Sequence, residues 1–223
     1  MTILLFGATG QVGGAVLRAF LASDTCTKIT LLNRREVVAF NNEPKITQVI
    51  VDTAASDFEQ RTAEIARGHD AAACCVGIGA GSASMPEEEL LRLEVDIVGA
   101  YARGCKTAGV EVFELLTAVG VTEKSVASRV KYVRVMGKKL KTVMDAGFAK
   151  LAVFRPGTIV GNKHTPGWAA WVAKLIPDSF GWGAVHQDAI GRAFAVHLER
   201  VGEMVPGVVY YDNKEIKMLA GNA

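Results

Sequence analysis

Short apolar runs alternate with longer stretches of helical periodicity along the first two thirds of the chain. The apolar runs are continuous rather than alternating, which is typical of strands that are covered on both faces. Strands that alternate with helices indicate a parallel sheet with helical crossovers. The pattern predicts six strands, at Ile3 to Phe6, Ile29 to Leu32, Gln48 to Val51, Ala71 to Val76, Val112 to Leu116 and Leu151 to Phe154. It predicts helices near Val12 to Leu21, Asp57 to Ala66, Glu87 to Ala108 and Val126 to Ala146.

The regular alternation stops after Pro156 and Gly157. A stretch rich in Trp, Pro and Gly follows, and it leads to a predicted helix from about Asp188 to Arg200 and a short strand from Gly207 to Tyr211. We expect residues 157–223 to form a substrate-side subregion at the carboxyl edge of the sheet, where open α/β folds bind ligands. No repeat or long linker divides the chain. We therefore predict one α/β domain over residues 1–223, a doubly wound parallel sheet of the Rossmann type with helices on both faces.

The composition and charge of the chain argue against some classes of binding partner. Half of the 223 residues are hydrophobic, which is enough for a sizeable core. The formal net charge is +2 with both signs mixed along the chain, so nothing predicts a basic face for nucleic acid. No stretch reaches the roughly 18 uninterrupted apolar residues that a membrane span needs, and no cationic segment precedes the apolar N-terminus. We expect no nucleic-acid or membrane partner, and a cytosolic (cytoplasmic) location.

The four cysteines include no C-x-x-C pair and no partner histidine at metal-ligand spacing. The sequence therefore predicts neither a metal site nor a disulfide framework. Cys74 and Cys75 lie inside an apolar run, where a free cysteine usually behaves as a small buried hydrophobe. We expect both to be core residues rather than redox groups.

The glycine pattern Gly7-x-x-Gly10-x-x-Gly13 directly follows the first predicted strand and opens the first helix. Glycine at such a turn permits a positive φ and lets backbone N–H groups approach a pyrophosphate, whose charge the helix N-terminus favours. The position of the pattern in a strand-turn-helix unit indicates a dinucleotide site more strongly than the spacing alone. The alternative is a strand-to-helix turn without a ligand.

The second predicted strand ends in Asn33-Arg34-Arg35, at the point where NAD-binding folds usually carry an acidic side chain for the ribose 2′-hydroxyl. A carboxylate would repel a 2′-phosphate, whereas guanidinium groups pair with it in charge-assisted hydrogen bonds. The sequence therefore favours NADP over NAD. The alternative is that Arg34 and Arg35 only form a solvated loop.

With these residues in place, the chain resembles the atypical short-chain dehydrogenase/reductases, and within them the Tat-interacting-protein-like oxidoreductase branch. The resemblance covers nearly the whole chain. It depends on the glycine turn, the Asn33 to Arg35 loop, Gly68 to Gly77, Phe154 to Gly157 and Tyr211 to Ile216.

The resemblance implies a position for each part of the cofactor. Thr9, Gly10, Gln11 and Val12 would line the pyrophosphate. Asp52 would contact the adenine, with a capping role as the open alternative. Val76 and Gly77 would border the adenosine ribose, and Pro156, Gly157 and Thr158 would border the nicotinamide.

The family's chemistry needs a Ser or Thr, a Tyr, and a Lys four residues after the Tyr. The resemblance places Thr117 and Tyr132 at the first two positions, but residue 136 is Met instead of Lys. An unassisted phenol has a pKa of about 10 and is a poor proton donor near neutrality. Lys139 returns to nearly the face of Tyr132, about 10 Å along the helix, and is not assigned to the site. Packing roles for Thr117 and Tyr132 stay open.

These observations leave three hypotheses. The first is an NADP-binding protein that has lost efficient catalysis and acts through cofactor-dependent binding, with a small molecule or a protein as its partner. The second is an NADPH-dependent reductase that uses Tyr132 and Thr117 on a small carbonyl substrate. The third is an interaction module with an empty fold, which the intact glycine turn disfavours. The helix from Val126 to Ala146 could form the face of a homodimer, and Trp168, Trp171, Trp182, His164 and His186 lie in the substrate-side tail.

Overall fold

The computed structural model describes residues 1–161 and 183–221. The strands are β1 (Thr2–Phe6), β2 (Lys28–Asn33), β3 (Ile46–Ile50), β4 (Ala71–Cys74), β5 (Val112–Leu116), β6 (Lys150–Phe154), β7 (Thr158–Val160), β8 (Ala184–His186) and β9 (Gly207–Tyr211). Seven of them form one parallel sheet in the order β3-β2-β1-β4-β5-β6-β9, and β7 pairs with β8 in a separate parallel ribbon. All six predicted central strands are present in this sheet.

The helices are α1 (Gln11–Ala22), α2 (Phe58–Ala66), α3 (Glu87–Leu91), α4 (Ile97–Thr107), α5 (Lys131–Asp145), α6 (Gln187–Glu199) and α7 (Asn213–Leu219). Apolar residues of α1 and α6 pack on one face of the sheet, including Phe20 and Phe194. Residues of α2, α4 and α5 pack on the other face, including Phe58, Tyr101 and Leu140. The predicted doubly wound Rossmann-type sheet is confirmed.

The sheet reverses its direction of growth at β1, which pairs with β2 on one side and β4 on the other. The chain leaves β1 after Phe6 and β4 after Cys74, at the same edge of the sheet. In open α/β sheets this switch point forms the crevice in which ligands bind. The fold therefore brings the glycine turn and the residues after Cys74 together.

Two predicted helix boundaries differ from the structure. Helix α5 begins at Lys131, later than the predicted Val126, because Thr122 and Ser125 form a capping box around a short 3-10 turn. The chain is extended at Ser128 before α5 starts. The predicted helix from Glu87 to Ala108 is divided into α3 and α4 by a π-helical turn over Arg92–Asp96.

The C-terminal part contains elements that the sequence pattern did not predict. The β7-β8 ribbon and α7 are both short, and α7 begins at a capping box formed by Asp212 and Glu215. The predicted helix and strand of this part are present as α6 and β9. His164 and the three tryptophans, Trp168, Trp171 and Trp182, lie outside the described residues.

Two polar side chains meet in the core between β5 and α6. Glu114 and His197 are almost completely buried, and Glu114 Oε1 lies 2.7 Å from His197 Nδ1. Glu114 Oε2 is buried without a hydrogen-bond partner among the described residues. The aromatic rings of Phe154 and Tyr211 make T-shaped contacts with the His197 imidazole.

The burial of the cysteines and the hydropathy of the helices can be compared with the expectations drawn from composition. All four cysteines are buried as free thiols, and burial raises the pKa of the Cys74 thiol to about 11. Cys74 and Cys75 are therefore core residues, as predicted. Within residues 1–161 and 183–221 we find no helix whose length and hydropathy suit a membrane crossing, and no cluster of potential metal ligands.

Candidate functional site

The three glycines of the turn between β1 and α1 have different roles, and two of them cannot carry a side chain without a clash. Gly7 has a φ of +93°, and a Cβ there would lie 2.8 Å from the backbone of Cys75 and Val76. A Cβ on Gly13 would overlap the carbonyl oxygen of Gly7. Gly10 caps α1 and donates its N–H to the Gly7 carbonyl at 3.1 Å. The turn is therefore a cradle of bare backbone at the switch point of the sheet.

The first turn of α1 presents unpaired N–H groups to this cradle. Helix α1 has no side-chain cap and no acidic residue in its first turn. The N–H groups of Gln11, Val12 and Gly13 have no intrahelical acceptor by geometry, and the helix dipole adds partial positive charge. This end of α1 suits an anionic group such as a pyrophosphate.

Arg34 and Arg35 follow β2 and are exposed to solvent. Within the described part of the chain, neither guanidinium group has a hydrogen-bond or ion-pair partner. With Thr9, Glu36 and Val37 they line a cavity of about 330 Å³, which we call the arginine cavity. Two unpaired cations therefore stand at one end of the site.

Two further cavities continue from this one across the edge of the sheet. The middle cavity, of about 270 Å³, is bounded by Thr9 and Arg34 at one end and by Gly10 at the other. The tyrosine cavity, of about 650 Å³, shares Gly10 and the wall from Cys75 to Ile78 with the middle cavity. Shared walls make the three cavities one groove that passes over the glycine turn.

The tyrosine cavity contains the residues that the resemblance places in catalysis. Thr117 follows β5, Tyr132 and Met136 lie on α5, and all three line the cavity. Among the residues that the structure describes, the Thr117 hydroxyl donates one long hydrogen bond, at 3.4 Å, to the Ala118 carbonyl. Met136, at the family's lysine position, is buried in the wall. The structure therefore brings the predicted hydroxyl, the predicted phenol and the substituted position together.

Lys139 and Glu94 line the same cavity, and sequence reasoning left both out of the site. Lys139 Nζ donates to Glu94 Oε2 at 3.0 Å, and both side chains are 1% exposed. A signal was present, because Lys139 lies on the buried stripe of α5 with Val135 and Leu140. A lysine on an apolar helix face needs a buried partner.

The electrostatic surroundings of Tyr132 make its phenol a weaker acid. Burial raises the pKa of Tyr132 above its ordinary value, and the charge of Glu94 adds to the rise. Lys139 lowers the pKa but does not outweigh these effects. Burial likewise raises the pKa of the Cys75 thiol, so Cys75 forms part of the wall and is a poor nucleophile at neutral pH.

The remaining predicted positions are distributed around the groove. Val76 and Gly77 line both the middle and tyrosine cavities. Asp52 is exposed, accepts a hydrogen bond from the Ala54 N–H at 2.9 Å and lines a separate hollow, whereas its neighbour Thr53 lines the middle cavity.

The segment after β6 borders the groove at its other end. The Pro156 carbonyl accepts the Val119 N–H at 3.0 Å, and the Gly157 N–H donates to Asn213 Oδ1 at 2.8 Å. Ile159, next to Thr158, lines the tyrosine cavity.

Sequence comparison gives one family over most of the chain. A family model described as NAD(P)H-binding matches residues 7–152. Protein HTATIP2 of Rattus norvegicus is 29% identical over 210 residues, which are 90% of this chain and 82% of that protein. Protein fmp52, mitochondrial, of Emericella nidulans is 27% identical, over 86% of this chain and 84% of that protein. These matches confirm the resemblance that the sequence motifs predicted, while the cytosolic location stays a prediction.

Solved structures share the fold at low sequence identity. The oxidoreductase ylbE from Lactococcus lactis superposes with a TM-score of 0.70 at 16% identity, over 99% of this chain and 95% of that chain. A putative NAD-dependent epimerase/dehydratase from Bacillus halodurans gives 0.70 at 11% identity over the whole of both chains. The enzyme WbmH from Bordetella bronchiseptica, solved in complex with NAD+, gives 0.66 at 13% identity over 99% of this chain and 79% of that chain.

Proposed function

Because the chain belongs to the NAD(P)H-binding family whose model matches residues 7–152, we propose that it binds NADP(H) along the groove and acts mainly through cofactor-dependent binding, with weak catalysis or none. The choice of NADP over NAD depends on the arginine cavity. Its two exposed guanidinium groups have no partner within the described residues, and a 2′-phosphate would give them one. The partner that responds to the bound cofactor is a small molecule or a protein.

The residues present fit the rest of a dinucleotide. A Cβ on Gly7 or Gly13 would occupy space against neighbouring backbone, so the cradle depends on the absence of a side chain. The free N–H groups at the start of α1 would hold the pyrophosphate, and the wall from Cys75 to Ile78 would border both ribose positions. When bound, NADPH supplies a hydride.

Weak catalysis is proposed from two features of the tyrosine cavity. Met136 offers neither charge nor hydrogen bond at the position where the family has lysine. The raised pKa of Tyr132 keeps its proton in place at neutral pH but makes the phenol a poor match for proton transfer. Thr117 and Tyr132 can still polarise a bound carbonyl group.

A reductase is the second candidate, and Lys139 is the observation that favours it. Its ammonium group lies in the wall of the cavity that holds Tyr132 and Thr117, and it lowers the pKa of the phenol. A residual rate with small, partly apolar aldehydes, ketones or quinones would follow.

The proposal is tested by fluorescence titration of NADPH and NADH into the wild type and R34A/R35A. We expect the double substitution to weaken NADPH binding about tenfold or more and to leave NADH within twofold, because only NADPH carries the 2′-phosphate. R67A/R192A removes two exposed positive charges elsewhere on the surface and serves as the matched control. Equal losses for both nucleotides would refute the assignment of the arginine cavity.

A carbonyl panel separates the two candidates. Turnover of NADPH with aldehydes, ketones or quinones that disappears in Tyr132→Phe would establish the reductase and refute the binding protein. Saturable NADPH binding without turnover would support the binding protein.

A further inference from the structure

Three hydrogen bonds connect four groups in the wall of the tyrosine cavity, and the backbone from Val76 to Ile78 closes them into a ring. Lys139 Nζ donates to the Val76 carbonyl at 2.6 Å and to Glu94 Oε2 at 3.0 Å. Glu94 Oε1 accepts the Ile78 N–H at 2.7 Å. We call this arrangement the Glu94–Lys139 ring. It connects α5 and the π-helical turn to the segment after β4, which borders both the middle and tyrosine cavities.

The ring is not explained by stability alone. Burial of an ion pair is costly, and well-packed apolar residues of the same volume are often equally stable or better. Here the pair lies in a cavity wall beside Tyr132, where charged groups with buried partners are candidates for function. Burial lowers the pKa of Lys139, but the adjacent Glu94 carboxylate outweighs that effect and the pKa is raised. Lys139 therefore remains an ammonium ion at neutral pH.

The ammonium group has one N–H more than the ring uses. It has three donors, and within the described residues it has two acceptors, the Val76 carbonyl and Glu94. Lys139 and Glu94 line the tyrosine cavity and neither the middle nor the arginine cavity. One donor therefore has no acceptor among the described residues, and it belongs to a side chain in the cavity wall at the end of the groove opposite Arg34.

We propose that Lys139 is the cation of the nicotinamide half of the site, where it donates its third N–H to a ribose hydroxyl of NADP(H), and that Glu94 is its positioning residue. This inference rests on the proposed function. Lys139 would supply the positive charge that Met136, at the family's lysine position, lacks. The position of the lysine on α5 differs from the family's pattern by three residues, and the Val76 carbonyl and Glu94 fix its ammonium group.

The π-helical turn over Arg92–Asp96 carries the carboxylate of the Glu94–Lys139 ring. The Ile97 N–H donates to the Arg92 carbonyl, five residues back, so the helix is locally wider than an α-helix. Such turns are frequent at functional sites. Here the turn carries Glu94, which faces Ile78 and Lys139 at once.

The test uses E94Q/K139M, which replaces both charges by neutral groups of similar size. Lys139→Met alone would leave Glu94 buried without its cation and could prevent folding. NADPH is titrated beside adenosine 2′,5′-bisphosphate, which carries the 2′-phosphate and the adenosine but no nicotinamide ribose. We expect NADPH binding to weaken about tenfold and the fragment to stay within twofold.

Two further variants keep the test decisive. Glu94→Gln keeps one oxygen acceptor, for either the Ile78 N–H or Lys139, and replaces the other oxygen by an NH2 donor. The ring is therefore weakened rather than removed, and we expect a smaller loss, again for NADPH only. Lys141→Met removes an exposed lysine of the same helix, one that pairs with Asp145, and we expect no change in either affinity.

The outcomes separate this inference from the proposal beneath it. Equal losses for NADPH and the fragment would mean that the ring only supports the cavity wall, and the inference would be overturned. Unchanged NADPH affinity in E94Q/K139M would overturn it as well. A wild type that binds neither compound would overturn the proposed function and the inference with it.

Discussion

Glu114→Gln tests whether the core contains a carboxyl group that resists ionisation. Glu114 is completely buried, one of its oxygens has no partner within the described residues, and the other lies against His197. Burial raises the pKa of Glu114 to about 7, although the hydrogen bond and charge of His197 lower it. Tyr211, Cys26 and Cys75 are the other titratable groups that sense its charge.

The size of the effect follows from the two pKa values. The ordinary pKa of 4.5 applies to the unfolded chain, and about 7 applies to the folded protein. Between these values the folded state holds the proton more tightly. The protonated Glu114 therefore stabilises the folded state below pH 4.5, and this stabilisation is lost as the pH rises from 4.5 through about 7. At about 1.4 kcal/mol for each pKa unit, the loss between pH 5 and pH 8 is roughly 2 to 3 kcal/mol.

Glutamine cannot ionise, so this part of the pH dependence should disappear in Glu114→Gln. Urea unfolding at pH 5 and pH 8 measures it, because the comparison cancels any cost of the buried carboxamide that does not depend on pH. Glu64→Gln, an exposed position, provides the control. Parallel stability profiles for the wild type and Glu114→Gln would refute a raised pKa at Glu114.

Three further predictions concern the cradle, the altered lysine position and the core. Gly13→Ala should weaken NADPH binding at least tenfold, because its Cβ overlaps the Gly7 carbonyl. Gly14→Ala, where the nearest atom lies at 3.6 Å, should leave binding unchanged and raise the free energy of unfolding by about 1 kcal/mol. Met136→Lys should increase NADPH oxidation with the carbonyl panel, and an unchanged rate would contradict the register of α5. Tyr101→Phe should lower the free energy of unfolding by about 1 kcal/mol in urea titrations, because two strand carbonyls lose their donor.

The inner strands of the sheet were predictable because nearly all of their residues are apolar, although β5 carries Glu114 and β2 carries Thr30. Runs such as Ala71 to Cys74 have no polar face, so they are not mistaken for surface strands. The connections between consecutive strands are short, which limits the possible strand orders. The start of α5 was not predictable from periodicity, since the helical pattern continues through a 3-10 turn that Thr122 and Ser125 stabilise. The last helix had a readable signal in the capping pair Asp212 and Glu215.

The site was predictable where it depends on local sequence. The glycine turn and the arginine pair are contiguous motifs, and the structure places them in one groove. The contact between Lys139 and Glu94 joins residues 45 positions apart. The π-helical turn also shifts the register of the helix that carries Glu94. Periodicity alone could not place the two charges side by side.

The widened turn in the helix that carries Glu94 makes the chain sensitive to length at this point. A π-helical turn is an α-helix with one residue inserted, so deletion of one residue from Arg92–Asp96 would restore regular winding. Because the wider turn absorbs the extra residue, the flanking helical segments would keep their orientation, and the side chains inside the turn would point in new directions. The Glu94 carboxylate would then lose its hydrogen bonds to the Ile78 N–H and to Lys139 at the same time. At this position a deletion would be more damaging than most substitutions.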